Sequence, residues 1–289
     1  MTRTGRDVDG SCSMAAQVSS AAGFLYWRPL PADPAMSAPL PISGVVITHN
    51  EADRIGRCIA SLVAVCDEVI LLDSGSTDDT VRIARDLGAR VEHRGWDGFA
   101  RQKNAAIAMA SKPWVLLLDS DEWLEADAHA ELGSLFAGDI EQADVWTLQR
   151  RTHWLGQPMR FGSFAREPVH RLFRADLRHA DVPVHEYLDV EGRVVKPSRI
   201  RLEHDTARSS AEYRGKLGKY ARLWAEARAA RGNTAWPGRG LLAAAAYALK
   251  NLILQGGALD GRSGIAFHRE HMRYAALKYR LLRELARSR

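Results

Sequence analysis

The residues best suited to chemistry are three carboxylates, Asp119, Asp121 and Glu122, which follow an apolar run at 114–118. A short apolar run of this kind predicts a buried strand. Carboxylates crowded at its end repel one another and resist burial unless a cation holds them. Two acids spaced i, i+2 can reach a hard divalent cation, which takes oxygen ligands and shares them with substrate phosphates. The pattern predicts a metal site, and the alternative is a solvated acidic turn.

The chain between 42 and 119 alternates between strand and helix patterns. Apolar runs at 43–48, 68–73 and 114–119 predict strands, and 90–93 is the predicted third strand in chain order, between two helical patterns. Periodic apolar positions at 51–65, 77–87 and 99–110 predict helices. This alternation indicates βαβ units and a mostly parallel sheet, which is an α/β fold. Beyond residue 143 the pattern is irregular. Strands are predicted at 145–148 and 169–173, a loop at 151–168, and basic helices from 209 onward.

Polar clusters follow three of the predicted strands, at 48–51, 73–76 and 119–121. Ligands of parallel sheets bind beyond the carboxyl ends of the strands, so we expect the clusters to form one site. Asp73 at a strand end can accept hydrogen bonds from a ribose or a base, and Gly75 lets the loop approach a ligand closely. Each cluster alone has a simpler interpretation, in which its side chains only cap the next helix. Neither the dinucleotide fingerprint nor the phosphate-loop motif is present.

The charge of the chain is divided unequally along its 289 residues. Residues 1–198 carry a net charge of −7, and residues 199–289, with 19 Lys or Arg and 7 Asp or Glu, carry +12. Such a basic helical segment is suited to an anionic membrane surface, and the alternative is a helical cap with a solvated basic face. The sequence lacks nucleic-acid-binding motifs, so we expect no nucleic-acid partner.

The cysteines and the apolar segments bear on the compartment of the protein. Cys12, Cys58 and Cys66 have no metal-binding or disulfide spacing, which favours a reducing compartment. The apolar run at 241–254 has 14 residues and includes Lys250. A bilayer-spanning helix needs about 20 residues, so we do not expect this run to form a transmembrane helix.

Four ordered motifs carry a resemblance to a known family. They are ITHNE at 47–51, LDSGSTDDT at 72–80, GWDGFARQKN at 95–104 and LDSDE at 118–122. Together they resemble family 2 glycosyltransferases of the GT-A fold, in particular the WaaE-like subgroup of lipopolysaccharide core biosynthesis. DVPVHE at 181–186 and LDGRSG at 259–264 are similar to the same subgroup. The resemblance covers roughly residues 42–285.

The resemblance implies roles for particular side chains. The nucleotide-sugar donor would be bound by Thr48, Asn50, Glu51, Asp73, Gly75, Ser76, Gln102, Lys103, Asn104 and Asp119. Mg²⁺ or Mn²⁺ would be held by Asp119 and Asp121, of which Asp121 is the more direct ligand. Folds of this kind often take a third metal ligand from later in the chain, and His204 is the residue we expect there. The alternative for His204 is a purely structural role.

The reaction needs a base that deprotonates the acceptor hydroxyl as it attacks the anomeric carbon. Many family members use an Asp of a Glu-Asp pair, whereas this chain has His185 and Glu186 in the corresponding region. We expect Glu186 to be the base in a single, inverting displacement, with Asp181 in reserve. The alternative is that Glu186 only pairs with a nearby arginine such as Arg171 or Arg174.

The resemblance also predicts how the chain is organised. We expect a disordered or non-native extension at 1–40, a GT-A glycosyltransferase domain at 41–205 and a basic helical extension at 206–289. The predicted protein is a metal-dependent glycosyltransferase that moves a sugar, such as a hexose from a UDP donor, to a glycan or lipid-linked acceptor of the cell envelope. We expect it in the cytoplasm, with the inner face of the inner membrane as a peripheral site. The rival functions are a sugar-nucleotide pyrophosphorylase and a membrane-associated scaffold with an inactive domain.

Overall fold

The computed structural model describes residues 38–181 and 186–287. The predicted extension at 1–40 therefore lies almost entirely outside the described residues, as does His185. The first half of the chain alternates strictly between strands and helices. Its elements are β1 (Leu40–Thr48), α1 (Ile55–Val63), β2 (Cys66–Asp73), α2 (Thr80–Asp86), β3 (Arg90–His93), α3 (Phe99–Ile107) and β4 (Trp114–Asp119). The alternation predicted for this region is confirmed, with helices shorter than their apolar periodicity suggested.

Strands β3, β2, β1 and β4 lie side by side in that order, and all their pairings are parallel. The register places Thr48 opposite Asp73 and Ile47 opposite Asp119. Parallel strands in this register end at one edge of the sheet. The fold therefore brings together the three polar clusters that the sequence places after β1, β2 and β4.

The second half of the sheet is mixed in direction. It contains β5 (Glu122–Trp123), β6 (Val145–Trp154), β7 (Gln157–Pro158), β8 (Glu167–Arg174) and β9 (Val195–Asp205), and helix α4 (Ala126–Ala137) follows β5. Strand β8 joins β4 and β6 by antiparallel ladders, and β9 pairs in parallel with β6 and antiparallel with β5. The loop predicted at 151–168 was wrong in part, because β6 continues to Trp154 and β7 follows.

Apolar side chains cover both faces of the sheet. On one face, α1 and α4 pack on strand residues such as Val46, Leu71 and Leu116. On the other face, α3 packs on the alternate residues, including Val45 and Leu117. Burial on two faces explains why β1, β2 and β4 are largely continuous apolar runs, whereas β3, at the edge, is mostly exposed. The predicted α/β fold, with helices flanking the sheet, is confirmed.

The C-terminal region is helical, as predicted. It consists of α5 (Ser210–Ala230), α6 (Arg239–Ala248), a π-helical segment (Leu249–Leu254), a short 3₁₀ turn (Gly257–Asp260) and α7 (Gly261–Arg287). Ser209 caps α5, because its hydroxyl oxygen accepts a hydrogen bond from the backbone N–H of Glu212. An aromatic cluster that includes Trp154, Tyr213 and Phe267 packs α5 and α7 against the end of β6. Within the described part of the chain, every helix is too short or too polar to cross a bilayer.

Candidate active site

A cleft of about 1160 Å³ opens at the carboxyl ends of β1 and β4. Seven of the predicted site residues line it, and they are Thr48, Glu51, Lys103, Asp119, Asp121, Glu186 and His204. The strands supply Thr48 and Asp119, α3 supplies Lys103, and β9 supplies His204. The cleft therefore gathers side chains from segments up to about 150 residues apart along the chain.

Asp119 is held by two cations, one behind the cleft wall and one in it. Arg171, on β8, donates to its Oδ2 atom, and the Nζ atom of Lys103 lies 3.3 Å from its Oδ1 atom. Burial alone would raise the pKa of Asp119, but the charges of Arg171 and Lys103 outweigh burial and hold this pKa well below its ordinary value. Asp119 is therefore ionised and fixed in place.

Asp121 lies beside His204. The Nε2 atom of His204 is 3.4 Å from the Oδ2 atom of Asp121, and the guanidinium of the buried Arg54 is 3.5 Å from the same oxygen. The pairing of Glu122 in β5 with His204 in β9 creates this contact. Burial would raise the pKa of Asp121, but the hydrogen bond and charge of His204 lower it, with a further contribution from Lys216.

Lys103 links Asp119 to Glu186. Its Nζ atom lies 3.2 Å from the Oε1 atom of Glu186, and its side chain is only 6% exposed. Glu186 thus pairs with a lysine, whereas Arg171 pairs with Asp119 and Glu122, and Arg174 pairs with Glu141. The alternative in which Glu186 pairs with one of these arginines was therefore wrong. Asp181 lies apart from this group, in an exposed ion pair with Arg101.

Asp73, Asn50, Gly75 and Ser76 fix the loops behind the cleft. The carboxylate of Asp73 accepts hydrogen bonds from the backbone N–H groups of Gly75 and Ser76 and from the Ser76 hydroxyl. Burial would raise the pKa of Asp73, but these hydrogen bonds outweigh burial and lower it. The backbone N–H of Asn50 donates a hydrogen bond to the Ser76 hydroxyl, and the side-chain oxygen of Asn50 accepts a hydrogen bond from the backbone N–H of Thr77. The two loops therefore support each other, and these four residues are not among those lining the cleft.

Gln102 and Asn104 are not among the residues that line the cleft, whereas Lys103 between them is. Gln102 donates to the Ser74 hydroxyl and to a backbone carbonyl at the end of β3, and Asn104 exchanges two hydrogen bonds with the backbone of His179. Consecutive residues of an α-helix project about 100° apart, so the three side chains cannot face one ligand together. Gln102 and Asn104 thus support the walls of the cleft.

Thr48 and Glu51 lie at the opening of the cleft beside β1. The hydroxyl oxygen of Thr48 is buried and, among the described residues, has no hydrogen-bond partner. Glu51 lies 2.6 Å from Arg208, which also pairs with Asp53. Burial raises the pKa of Glu51 despite the charge of Arg208. Among the residues that the structure describes, the Thr48 hydroxyl therefore remains unpaired within the cleft wall.

Sequence reasoning missed several contacts behind the cleft and several residues that line it. Buried Arg171 bridges Asp119 and Glu122, and Arg150 joins Glu122 to Glu167. Helix α5 adds Tyr213, Lys216, Leu217 and Tyr220 to the cleft wall, and the exposed pair Trp96 and Phe99 lies at its rim. The position of Arg171 in an apolar predicted strand was a usable signal, because a charge in a buried strand needs a partner.

The donor set at Asp121 and His204 fits a divalent cation. Among residues 38–181 and 186–287, no group of three or more His, Cys, Asp or Glu is arranged as a complete metal site. Two ligands at about 2.1 Å from one octahedral cation stand about 3 Å apart, close to the 3.4 Å that separates Asp121 from His204. The carboxylate oxygens and substrate phosphate oxygens suit Mg²⁺ or Mn²⁺. Asp119 fits less directly, since Arg171 and Lys103 occupy its oxygens.

Comparison with known proteins decides the family. Residues 43–145 match the model of glycosyl transferase family 2. A lipopolysaccharide core biosynthesis glycosyltransferase, LpsC of Rhizobium meliloti, is 32% identical over 65% of this chain and 71% of its own length. The chain belongs to glycosyltransferase family 2.

Other relatives of this family 2 glycosyltransferase match shorter stretches. An uncharacterized glycosyltransferase of Rickettsia felis is 46% identical over 33% of this chain, and the chain spans about a third of the length of this and the other rickettsial relatives. Glucosyl-3-phosphoglycerate synthase of Mycobacterium tuberculosis, a solved structure, is 28% identical over 39% of this chain and 44% of its own, with a TM-score of 0.32. The family match ends at residue 145, so Glu186, His204 and Lys216 lie outside it.

Proposed function

We propose that this family 2 glycosyltransferase is a metal-dependent, inverting enzyme that moves a sugar from a nucleotide-sugar donor, a UDP-hexose, to a glycan of the cell envelope such as lipopolysaccharide core. The observation that carries the proposal is the meeting of Asp119, Asp121, Lys103 and Glu186 in one cleft at the carboxyl edge of the sheet. The part that LpsC takes in lipopolysaccharide core biosynthesis supports the choice of acceptor. We further propose that the protein acts in the cytoplasm, at the inner face of the inner membrane.

The donor diphosphate is the leaving group, and its charge must be stabilised as the sugar departs. Lys103 presents an ammonium group in the cleft between Asp119 and Glu186. Lys216, on α5, places a second cation at the same cleft, near Asp121. When bound, a divalent cation supplies further stabilisation of the phosphate charge, and Asp121 and His204 would hold it, with Asp119 close by.

Glu186 is the proposed base. It lines the cleft, its side chain is partly exposed, and Lys103 orients its carboxylate through the 3.2 Å contact. In a single displacement, the carboxylate takes the proton of the acceptor hydroxyl as the oxygen of that hydroxyl bonds to the anomeric carbon. The bond from that carbon to the phosphate oxygen breaks, and the electron pair leaves with the nucleoside diphosphate. Such a step inverts the anomeric configuration.

Product analysis tests the proposal most broadly. The purified full chain is incubated with a panel of UDP-sugars, Mn²⁺ or Mg²⁺ and truncated lipopolysaccharide core acceptors, and products are identified by mass spectrometry. The proposal predicts a hexose-sized mass increase and thermal stabilisation by a UDP-sugar with Mn²⁺. Formation of UDP-sugar from a sugar phosphate and UTP would instead indicate a pyrophosphorylase. Absence of turnover and of stabilisation with every donor would indicate an inactive scaffold.

A further inference from the structure

Helix α6 and the π-helical segment after it expose their large apolar side chains. Leu241 is 77% exposed, Ile253 is 69% exposed and Leu254 is 74% exposed. None of the ten residues of α6, all of which the structure describes, is buried. The exposed stripe recurs with helical spacing, at Leu241, Leu242, Ala245, Ala246, Leu249, Lys250, Ile253 and Leu254. We call these eight residues the outer stripe.

The inner side of the same segment is smaller and more polar than the outer stripe. It consists of Ala243, Ala244, Tyr247, Ala248, Asn251 and Leu252. The Tyr247 hydroxyl hydrogen-bonds Nδ1 of His268 on α7, and the buried Asn251 contacts the Ser163 hydroxyl. These polar contacts fix the rotation of the helix. The usual pattern of a surface helix, with apolar residues inward, is therefore reversed.

The surroundings of the outer stripe are basic and carry further apolar groups. Residues 227–259 contain four Lys or Arg and no Asp or Glu. Trp236, just before α6, is exposed, as are Leu259 in the 3₁₀ turn and Ile265 near the start of α7. Aromatic side chains and long cationic side chains are the groups that settle at a bilayer interface. A large exposed apolar patch marks an interaction surface.

We propose that the outer stripe lies flat in the interface of an anionic bilayer, with Lys250 and its basic neighbours at the lipid phosphates. Charge complementarity selects this occupant, because the outer stripe contains Lys250 and no carboxylate, and residues 227–259 carry only positive charges, which match anionic lipid headgroups. The segment runs in the plane of the interface, since 14 residues are too few to span a bilayer. Membrane binding of the outer stripe deepens the proposed function, on which it rests only in taking the acceptor to be a glycan of the cell envelope.

The structure connects this surface to the cleft. The backbone N–H of Arg160 donates to Asp260, and that of Gly162 donates to the carbonyl of Gln255. Phe164, two residues after Gly162, lines the cleft. The loop at 160–164 thus runs from the end of the outer stripe to the active site. A protein seated by the outer stripe would hold its cleft near the membrane surface, where a lipid-linked acceptor is presented.

Vesicle flotation with the full chain tests the proposal. The vesicles are phosphatidylcholine alone, or phosphatidylcholine with roughly a third phosphatidylglycerol, because each cation near an anionic surface strengthens binding about fivefold. The double variant Leu241→Ser, Ile253→Ser removes apolar groups from the outer stripe. The matched control is Leu223→Ser, which changes an exposed leucine of α5 outside the stripe. Thermal unfolding checks that each variant remains folded.

The proposal predicts that the wild-type protein and L223S float with anionic vesicles and float less with phosphatidylcholine alone. The double variant should bind at least about tenfold more weakly, since two large apolar side chains no longer enter the interface. Unchanged flotation of the folded double variant overturns the proposal. Failure of the wild-type protein to float with anionic vesicles also overturns it. A third contradicting result is a wild-type dimer in sedimentation that the double variant abolishes, because a second copy would then cover the outer stripe. The rate of sugar transfer to a soluble acceptor should be equal in the wild-type protein, L223S and the double variant. Absence of transfer in all three would contradict the proposed function and not the membrane proposal.

Discussion

The Nζ atom of Lys103 lies between two carboxylates, 3.3 Å from Asp119 and 3.2 Å from Glu186. This ammonium group ties the end of β4 to Glu186, although the two carboxylates are 67 positions apart in the sequence. A cation in this position neutralises the cleft before a donor binds, and it becomes available to the diphosphate of a bound donor.

Replacement of Glu186 by Gln should lower the transfer rate by about 100-fold to 10,000-fold, the range for loss of a general base. Binding of the donor, measured by calorimetry with a UDP-sugar, should change little. Asp181→Asn is the control, because Asp181 is 57% exposed and pairs with Arg101 away from the cleft. Near-normal turnover by the folded E186Q protein would remove Glu186 from the mechanism.

Replacement of Arg171 by Met should destabilise the fold. Arg171 is buried and bridges Asp119 to the fully buried Glu122, so its loss leaves Asp119 with Lys103 alone and Glu122 with Arg150 alone. Removing one partner of a buried ion pair costs about 3–5 kcal/mol in the free energy of unfolding. Urea denaturation measures this change. Arg82→Met, on the surface of α2, should leave the midpoint nearly unchanged, and an equal midpoint for R171M would contradict the account.

The stability of the protein should fall as the pH decreases from 6.5 toward 3. Burial, followed by the charge of His268, lowers the pKa of His271 to about 3, and burial with the charges of Lys103 and Arg171 lowers that of His179 to about 3. Between pH 3 and 6.5 the unfolded chain binds more protons at these sites, so the free energy of unfolding rises with pH.

The expected slope is at most about 1.4 kcal/mol per pH unit for each histidine. Urea unfolding at a series of pH values measures it, and His271→Asn should reduce the slope. Tyr213 hydrogen-bonds His271, so the variant should also be less stable at pH 7. A pH dependence in H271N as steep as in the wild-type protein would show that His271 does not titrate in this window.

Replacement of Lys216 by Ala should raise the KM for the nucleotide sugar by about tenfold, as expected for loss of one contact to a charged group. Lys216 lines the cleft near Asp121, although α5 lies outside the family match. Lys219→Ala is a matched control, because this exposed lysine of α5 is not among the cleft residues. Steady-state kinetics at varied donor concentration separate the two variants. Equal KM values would exclude Lys216 from donor binding.

The sequence predicted the donor edge of the site because strand ends in a parallel sheet meet at one edge. Asp119, Asp121 and Thr48 line the cleft for this reason. The sequence did not predict β9. The first residues of this strand are alternately exposed and include Pro197, so they lack the continuous apolar pattern of a buried strand. Without β9, the contact of His204 with Asp121 was an expectation drawn from family resemblance alone.

Contacts between distant segments were the other part that sequence reasoning missed. The pairing of Arg171 with Asp119 depends on the antiparallel ladder between β8 and β4, which joins residues about 50 positions apart. The orientation of α3 was also decided by packing, which turned Lys103 into the cleft and Asn104 toward His179. Helical geometry alone could have shown that residues 102–104 do not share one face.

The most direct test of the central claim compares Asp121→Ala with the wild-type protein in sugar transfer, with Mn²⁺, with Mg²⁺ and with a chelator. A metal that stabilises the leaving diphosphate supplies several kcal/mol, so the variant and the chelated wild-type protein should both be at least about 100-fold slower. Asp127→Ala, an exposed carboxylate on α4, should transfer at the wild-type rate. Wild-type speed in the D121A variant, or activity that the chelator leaves unchanged, would contradict the account.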